Sequence, residues 1–329
     1  MERYVDRLFI SLEAQTIGFS SLEIICVNDG STDGTLEKLS KWEQKYPDNV
    51  VLVPLPENVR MGTCRNLGVK MASADHIAFI DSDDWVEKNY LERLYETALT
   101  YDLDLVECGM IRDAAEEITY LNEPEGAVDV IRLSGVADRK KLFHMKRVTN
   151  SPVSKIIRKE FLLRNEIFFS EGIIYEDSYW GILLNLYLEN AGIMPDRLYH
   201  YCVNERSVVL TKNTDNNVDL ITNQIMIWEE VERRGLMEDY RDEMEMEHVY
   251  SCALIFWKML VYRYDDPPYS FYRLLCAVVR SRVPDIMNNP YILAGELQEK
   301  YMLLLESCLN PLPKNEFRKF AEKVRELGL

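Results

Sequence analysis

Residues 22–34 have the sequence LEIICVNDGSTDG, in which a short apolar run ends in an Asn-Asp-Gly turn and a helical period begins at Asp33. The same order returns at residues 76–84, HIAFIDSDD, where an apolar run ends in three carboxylates. An apolar run that stops at turn residues is typical of a buried strand. The same patterns predict further strands at 50–54 and 103–108, and helices at 2–16, 33–46, 63–72 and 87–101. This alternation indicates a Rossmann-like α/β fold with a mostly parallel sheet and flanking helices.

Two acidic turns follow strands of this predicted sheet, at the edge where ligands of such sheets bind. The second turn holds three carboxylates, those of Asp81, Asp83 and Asp84. Hard oxygen ligands of this kind suit Mg²⁺ or Mn²⁺ bound together with a substrate phosphate. The alternative is an exposed acidic turn that caps the helix at Glu87. The apolar strand before the turn and the second acidic turn favour the metal site.

The other acidic turn contains Asp29, which is placed to accept a hydrogen bond from a nucleobase N–H beside a helix N-terminus. An Asx turn with a helix cap explains it equally well. A third acidic element, Glu176-Asp177, lies between apolar and aromatic residues, where desolvation raises a carboxyl pKa and favours a general base. The purely structural alternative is that both acids complement the dipole of a helix at 178–188.

Composition excludes several classes of partner. The chain has 329 residues and a formal charge of -17 without a segregated basic face, so we exclude nucleic acid. Its seven cysteines are scattered, which is typical of reduced thiols in a cytoplasmic protein. The longest apolar stretch, 249–264, is shorter than the ~20 residues that a membrane span needs. We expect a buried helix there and no transmembrane segment, so that any association with a membrane would be peripheral.

The second part of the chain has a different pattern. From about 114 to 145 the periodicity weakens, and we expect an irregular or acceptor-facing insertion. Beyond Lys212, apolar spacings of three and four predict an almost entirely helical region. We therefore predict one domain at 1–212 and a helical C-terminal region at 213–329. The acidic run 238–247 is expected on the solvated face of a helix.

Four motifs in this order resemble those of family 2 glycosyltransferases with the A-type fold. They are VNDGSTDG at 27–34, GTCRNLG at 62–68, FIDSDD at 79–84 and YED at 175–177. The resemblance implies an inverting, metal-dependent transferase that uses a nucleotide-diphosphate sugar, with UDP as the expected nucleotide. The implied cofactor is Mn²⁺ or Mg²⁺, and the implied acceptor is a hydroxyl of a saccharide or glycoconjugate in cell-surface polysaccharide assembly.

Carried over to this chain, the resemblance implies that Asp29 contacts the nucleotide base and that Arg65 lies near the phosphates. A surface arginine paired with a carboxylate is the structural alternative for Arg65. Asp81 and Asp83 would form the D-x-D motif, with Asp83 as the direct metal ligand and Asp81 nearer the ribose or sugar. Asp84 would assist the metal.

The resemblance also implies that Asp177 is the general base, with Glu176 as the competing candidate. Lys155 and the stretch 199–207 resemble weaker family features near the active site. His200 has no second ligand at metal-binding spacing, so we interpret it as a packing histidine.

One feature departs from the family, whose members begin with an apolar strand before the helix found here at 2–15. We expect either that the natural chain starts further upstream or that this is a degenerate copy with impaired nucleotide binding; the presence of every later motif residue favours the first. Two other functions stay open. One is a non-catalytic protein that binds a nucleotide sugar or a partner. The other is a nucleotidyltransferase, which would normally show a Gly-rich phosphate loop near the N-terminus.

Overall fold

The structure is a computed structural model that describes residues 1–113, 117–120, 127–203 and 211–328. The chain forms two compact units. The first comprises Met1–Gly172 and Glu176–Asn204, and the second comprises Ile173–Tyr175 and Glu205–Leu329. The short segment Ile173–Tyr175 lies inside the predicted domain 1–212, yet it packs with the second unit.

The strands of the first unit form two sheets. β1 (Ile24–Asp29) and β2 (Val50–Leu55) pair in parallel. The larger sheet has the strand order β3-β7-β5-β8-β4, with β6 also paired to β8. Its strands are β3 (His76–Ile77), β4 (Trp85–Val86), β5 (Leu105–Asp113), β6 (Asp129–Arg132), β7 (Lys155–Arg158) and β8 (Asn190–Cys202).

The α/β prediction is confirmed, but the larger sheet is mixed rather than mostly parallel. β5 and β8 run parallel, whereas β7 is antiparallel to β3 and β5, and β8 is antiparallel to β4 and β6. The alternation of strands and helices along a chain does not fix strand direction, because a connection can return the chain to either end of a sheet. β3 is also shorter than predicted, since residues 78–80 leave the ladder on the way to the acidic turn.

Helices α1, α2 and α4 of the first unit are amphipathic and bury one face against the sheets. The helix predicted at 2–16 is confirmed as Val5–Glu13, and its Phe9 ring stacks on Trp42 with centroids 4.7 Å apart. In chain order the helices are α1 (Val5–Glu13), α2 (Thr35–Lys45), α3 (Met61–Met71), α4 (Tyr90–Tyr101), α5 (Val136–His144), α6 (Lys159–Arg164) and α7 (Glu176–Tyr187).

The second unit is helical in its described residues. The long helix predicted at 244–264 is continuous up to Tyr262. Its middle segment, Val249–Phe256, is π-helical, with wider turns than those of an α-helix. Most of this apolar middle segment is buried. The α-helices are α8 (Asp219–Arg233), α9 (Met237–His248), α10 (Trp257–Tyr262), α11 (Tyr269–Arg282), α12 (Pro290–Leu293), α13 (Glu299–Leu309) and α14 (Lys314–Glu326).

Two predictions about surface segments need correction. The acidic run 238–247 is not wholly solvated, because Glu243 is 2% exposed and accepts a hydrogen bond from the Tyr291 hydroxyl at 2.6 Å. The region 114–145 is not wholly irregular, because its described residues include β6 and α5; residues 114–116 and 121–126 lie outside the described part. Among the described residues, none of the helices combines the length and apolar character that a membrane span requires.

Candidate active site

The acidic turn at residues 81–84 leads from β3 into β4. The Asp84 N–H donates to the Asp81 carbonyl at 3.0 Å, which closes the turn. The Asp84 side chain is buried: its Oδ2 accepts a hydrogen bond from the Tyr199 hydroxyl at 2.6 Å, and its Oδ1 accepts one from the Cys202 N–H at 2.8 Å. Burial raises the pKa of Asp84 to about 7, although both hydrogen bonds favour its charged form.

Arg65 of α3 connects the acidic turn to the acid pair that begins α7. Its Nη2 donates to Asp81 Oδ1 at 2.8 Å, and its Nη1 donates to Glu176 Oε1 at 2.5 Å. The guanidinium carbon lies 5.3 Å from the centre of the Phe169 ring. With a side chain only 10% exposed, Arg65 is not a surface arginine. Three residues from three predicted motifs are therefore in direct contact.

Glu176 and Asp177 form the first turn of α7, where the helix dipole favours negative charge. Burial raises the pKa of both carboxyl groups, and the nearby Arg65 guanidinium opposes that rise. The preceding Tyr175 has a φ of 69°, a left-handed conformation that is strained for a residue with a side chain. A partly desolvated carboxylate with a raised pKa is well suited to accept a proton.

Asp29 ends β1 and braces the loop that leads to α3. Its Oδ1 accepts a hydrogen bond from the Val59 N–H at 2.6 Å, thirty positions along the chain. This is not an Asx turn, in which a side chain bonds the backbone two residues on. Burial, and secondarily the Asp29 carboxylate, raise the pKa of the Cys64 thiol to about 12. Since Cys64 and Arg65 are consecutive, α3 contacts both acidic turns.

Asp83 is held through its backbone, because its carbonyl accepts a hydrogen bond from Arg7 Nη2 at 2.7 Å. Within the described ranges, no group of three His, Cys, Asp or Glu side chains forms a metal site by itself. Asp81 and Asp83 nevertheless supply the hard oxygens that Mg²⁺ and Mn²⁺ prefer. Mg²⁺ usually takes one or two carboxylates and completes its shell with water and substrate phosphate. The donor set thus fits a metal shared with a diphosphate.

Two residues of the weaker family features, Lys155 and His200, lie in the interior of the protein. Lys155 is fully buried and pairs with Glu107 at 3.1 Å inside the sheet. His200 packs face to face on Trp85 with ring centroids 3.5 Å apart, and its Nε2 lies 2.8 Å from Glu87 Oε1. The packing interpretation of His200 is confirmed. Residues 204–207 of the same stretch lie outside the described residues.

Sequence reasoning missed Arg7, and it placed Tyr199 only within the stretch 199–207, without its contact to the acidic turn. Tyr199 lies on β8, a strand that the sequence analysis did not predict. Burial alternates from Met194 to Leu198, but the residue types do not show this alternation, because the buried Asp196 is charged. Pro195 also obscured the strand, because proline is normally confined to strand edges or bulges.

Comparison with known proteins places the chain among glycosyltransferases. It is 27% identical over 271 residues to the putative glycosyltransferase EpsH of Bacillus subtilis, covering 78% of this chain and 74% of EpsH. The sequence model described as Glycosyl transferase family 2 matches residues 2–169. That match spans more than half of the chain, which belongs to this family.

Solved structures show the same fold. Staphylococcus aureus TarS residues 1–349 in complex with UDP-GlcNAc superposes with a TM-score of 0.57 at 19% identity, covering 93% of this chain and 88% of that one. The mannosyltransferase PcManGT from Pyrobaculum calidifontis, in complex with GDP-Man and Mn²⁺, gives a TM-score of 0.51 at 14% identity, with coverages of 94% and 83%. The A-type glycosyltransferase fold is confirmed.

Proposed function

We propose that this chain is an inverting, metal-dependent glycosyltransferase that moves a sugar from a UDP-sugar to a hydroxyl of a saccharide or glycoconjugate. The contact of Arg65 with both Asp81 and Glu176 carries the proposal, because it joins three motifs in one place. The first unit would be the catalytic domain. UDP-GlcNAc in the TarS complex supports the choice of nucleotide.

The proposed acceptor is supported by the name of a relative, and the proposed place of action by the state of the cysteines. TarS is named a poly(ribitol-phosphate) beta-N-acetylglucosaminyltransferase; it is 24% identical over 75% of this chain, which spans 41% of TarS. A cell-surface polymer or its precursor is therefore the acceptor that we propose. All seven cysteines are free thiols, which supports a cytoplasmic place of action.

For the donor, we propose that Asp29 contacts the base, that Arg65 lies beside the phosphates and that Asp81 approaches the ribose or sugar. Asp83 and Asp81 would hold Mn²⁺ or Mg²⁺, with Asp83 as the direct ligand; the Mn²⁺ in the PcManGT structure supports such a cofactor. When bound, the ion would neutralise charge that develops on the leaving diphosphate. Asp84 is left out of the metal set, because both of its oxygens accept hydrogen bonds within the protein.

Asp177 is the proposed general base, and Glu176 the competing candidate. Glu176 is engaged by Arg65 at 2.5 Å, which favours Asp177 as the proton acceptor. Asp177 would take the proton of the acceptor hydroxyl while the hydroxyl oxygen bonds to the anomeric carbon. The bond from that carbon to the diphosphate oxygen breaks in the same displacement, so the configuration inverts and UDP leaves.

Nucleotide binding is the first test. UDP, GDP and CMP should be titrated with and without Mn²⁺ while the melting temperature is followed, because a ligand of the native state raises its stability. We expect the largest shift with UDP and Mn²⁺, reversed by a chelator and absent from Asp83→Ala. A chain that no nucleotide stabilises would contradict both the transferase and the nucleotidyltransferase hypotheses. Binding without turnover of any UDP-sugar would favour the non-catalytic alternative.

Asp177→Asn tests the base. We expect kcat to fall by about 10²–10⁴-fold with little change in donor binding, as for loss of a general base. Asp138→Asn is the matched control, since Asp138 also lies in the first turn of a helix but is exposed. The control should keep wild-type kcat. Full activity in Asp177→Asn would rule out Asp177 as the base and turn attention to Glu176.

A further inference from the structure

The Tyr199 hydroxyl joins the two ends of the acidic turn. It donates a hydrogen bond to Asp84 Oδ2 at 2.6 Å and accepts one from the Asp81 backbone N–H at 3.1 Å. Without the Tyr199 hydroxyl, the Asp84 Oδ2 and the Asp81 N–H would each lose this hydrogen bond inside the protein. One phenolic oxygen therefore links the backbone at the start of the turn to the carboxylate at its end.

Tyr199 is itself rigidly placed. It is fully buried near the C-terminal end of β8, where its backbone pairs with Met110 of β5 and Val86 of β4. A tyrosine hydroxyl is protonated at neutral pH, so this group can donate to Asp84. A donor fixed by two neighbouring strands can hold a turn more firmly than one on a loop.

Two other bonds complete the attachment. The Cys202 N–H, also on β8, donates to Asp84 Oδ1 at 2.8 Å, and Arg7 donates to the Asp83 carbonyl at 2.7 Å. Both carboxylate oxygens of Asp84 therefore accept hydrogen bonds from residues of β8. The carboxylates of Asp81 and Asp83 take no part in these anchoring bonds.

We infer that Tyr199 is a positioning residue, which with Asp84 fixes the acidic turn so that Asp81 and Asp83 are held ready for the donor diphosphate and its metal. This inference rests on the proposed function for its purpose. The anchoring itself is a property of the ligand-free chain. The two parts can be tested separately.

Tyr199→Phe removes the hydroxyl and keeps the ring. Tyr90→Phe is a matched control: Tyr90 is equally buried, its ring packs against Tyr199 with centroids 6.0 Å apart, and its hydroxyl faces the Lys155 backbone instead of the acidic turn. Hydrogen exchange of peptides spanning residues 79–86 should be measured without any ligand. We expect faster exchange in Tyr199→Phe and wild-type exchange in Tyr90→Phe. Unchanged exchange in Tyr199→Phe would overturn the anchoring.

The second arm measures the affinity for UDP in the presence of Mn²⁺ by calorimetry on the same three proteins. We expect about a tenfold weaker affinity for UDP in Tyr199→Phe, because the variant loses roughly the net free energy of one hydrogen bond that holds the turn in its binding conformation. We expect no change in affinity in Tyr90→Phe. Faster exchange with unchanged affinity would overturn the positioning role. If the wild-type chain binds no UDP, the proposed function fails, while the exchange data still decide whether Tyr199 anchors the turn.

Discussion

Lys155 shows how a single buried charge constrains this sheet. Its ammonium is wholly enclosed and bonds Thr149 Oγ1 and the Ser151 carbonyl, each at 2.7 Å, besides Glu107. Burial lowers the pKa of Lys155, and the Glu107 carboxylate opposes that change. The buried ammonium therefore has a hydrogen-bond or ionic partner on several sides. Removal of either charge of the Lys155–Glu107 pair would leave the other charge buried without its counter-charge.

We expect Lys155→Met to lower the free energy of unfolding by roughly 3–5 kcal/mol, the usual cost of breaking a buried pair. Urea denaturation measures this directly. Lys41→Met is the control, because Lys41 pairs with Glu37 on the surface with a side chain 68% exposed. The control should leave stability nearly unchanged. Equal midpoints for wild type and Lys155→Met would show that the pair contributes nothing.

At the residue scale, the motifs picked out side chains that the structure brings into contact, as Arg65 does with Asp81 and Glu176. Asp81 and Glu176 could be named because short-range patterns mark strand ends and helix starts, whereas Arg65 was named through the family resemblance of its motif. The contact of Tyr199 with the acidic turn could not be predicted, because it depends on the register of β8 against β4 and β5, which no local pattern encodes. Asp84 looked like its neighbours in the sequence and differs only through burial.

Among the elements, α3 matters most to the site, and two of its glycines have opposite surroundings. A Cβ at Gly62 would lie 2.0 Å from the Ser170 carbonyl oxygen, whereas a Cβ at Gly68 would meet open space. Close packing at Gly62 brings the helix that carries Arg65 against the segment before α7. A side chain there must push the two apart.

Gly62→Ala should therefore destabilise the protein by about 1–3 kcal/mol, as overpacking does. Gly68→Ala should stabilise it by about 0.5–1 kcal/mol, because alanine is the better helix former. Thermal or chemical denaturation compares the two. The same sign of change for both variants would contradict this account of α3.

Most helices were predictable and parts of the sheet were not. Amphipathic helices have a strong period, so α1, α2 and α4 were placed within a few residues. The sheet depends on pairing between distant segments, and its directions follow connections that the sequence pattern does not describe. Short strands such as β4 contain too few residues to show any period.

At the scale of the whole molecule, stability should depend on pH through His248 in the second unit. Its ring is 1% exposed and packs edge to face on Trp228. Burial, and secondarily the charge of Arg282, lower the pKa of His248 to about 4. The unfolded chain then binds this proton more tightly than the folded chain, so stability is full above about pH 6.5 and is lost as pH falls towards 4.

His248→Phe keeps an aromatic ring and removes the titration. From pH 7 to pH 4.5 we expect the variant to lose less stability than the wild type, by up to roughly 3 kcal/mol. Denaturant midpoints across that range give the comparison. Parallel curves for the two proteins would mean that His248 takes up its proton equally well in the folded state.

The seven free thiols are distributed over both units of the protein, and most of them are buried. Cys26, Cys64, Cys108 and Cys202 belong to the first unit and Cys252, Cys276 and Cys308 to the second, and all but Cys26 are buried. Burial raises the pKa of Cys26, Cys64 and Cys108 to about 12, which suppresses the reactive thiolate. An alkylating reagent can therefore modify most of these sulfurs only during a transient opening. The chain carries natural reporters that distinguish breathing of one unit from breathing of the other.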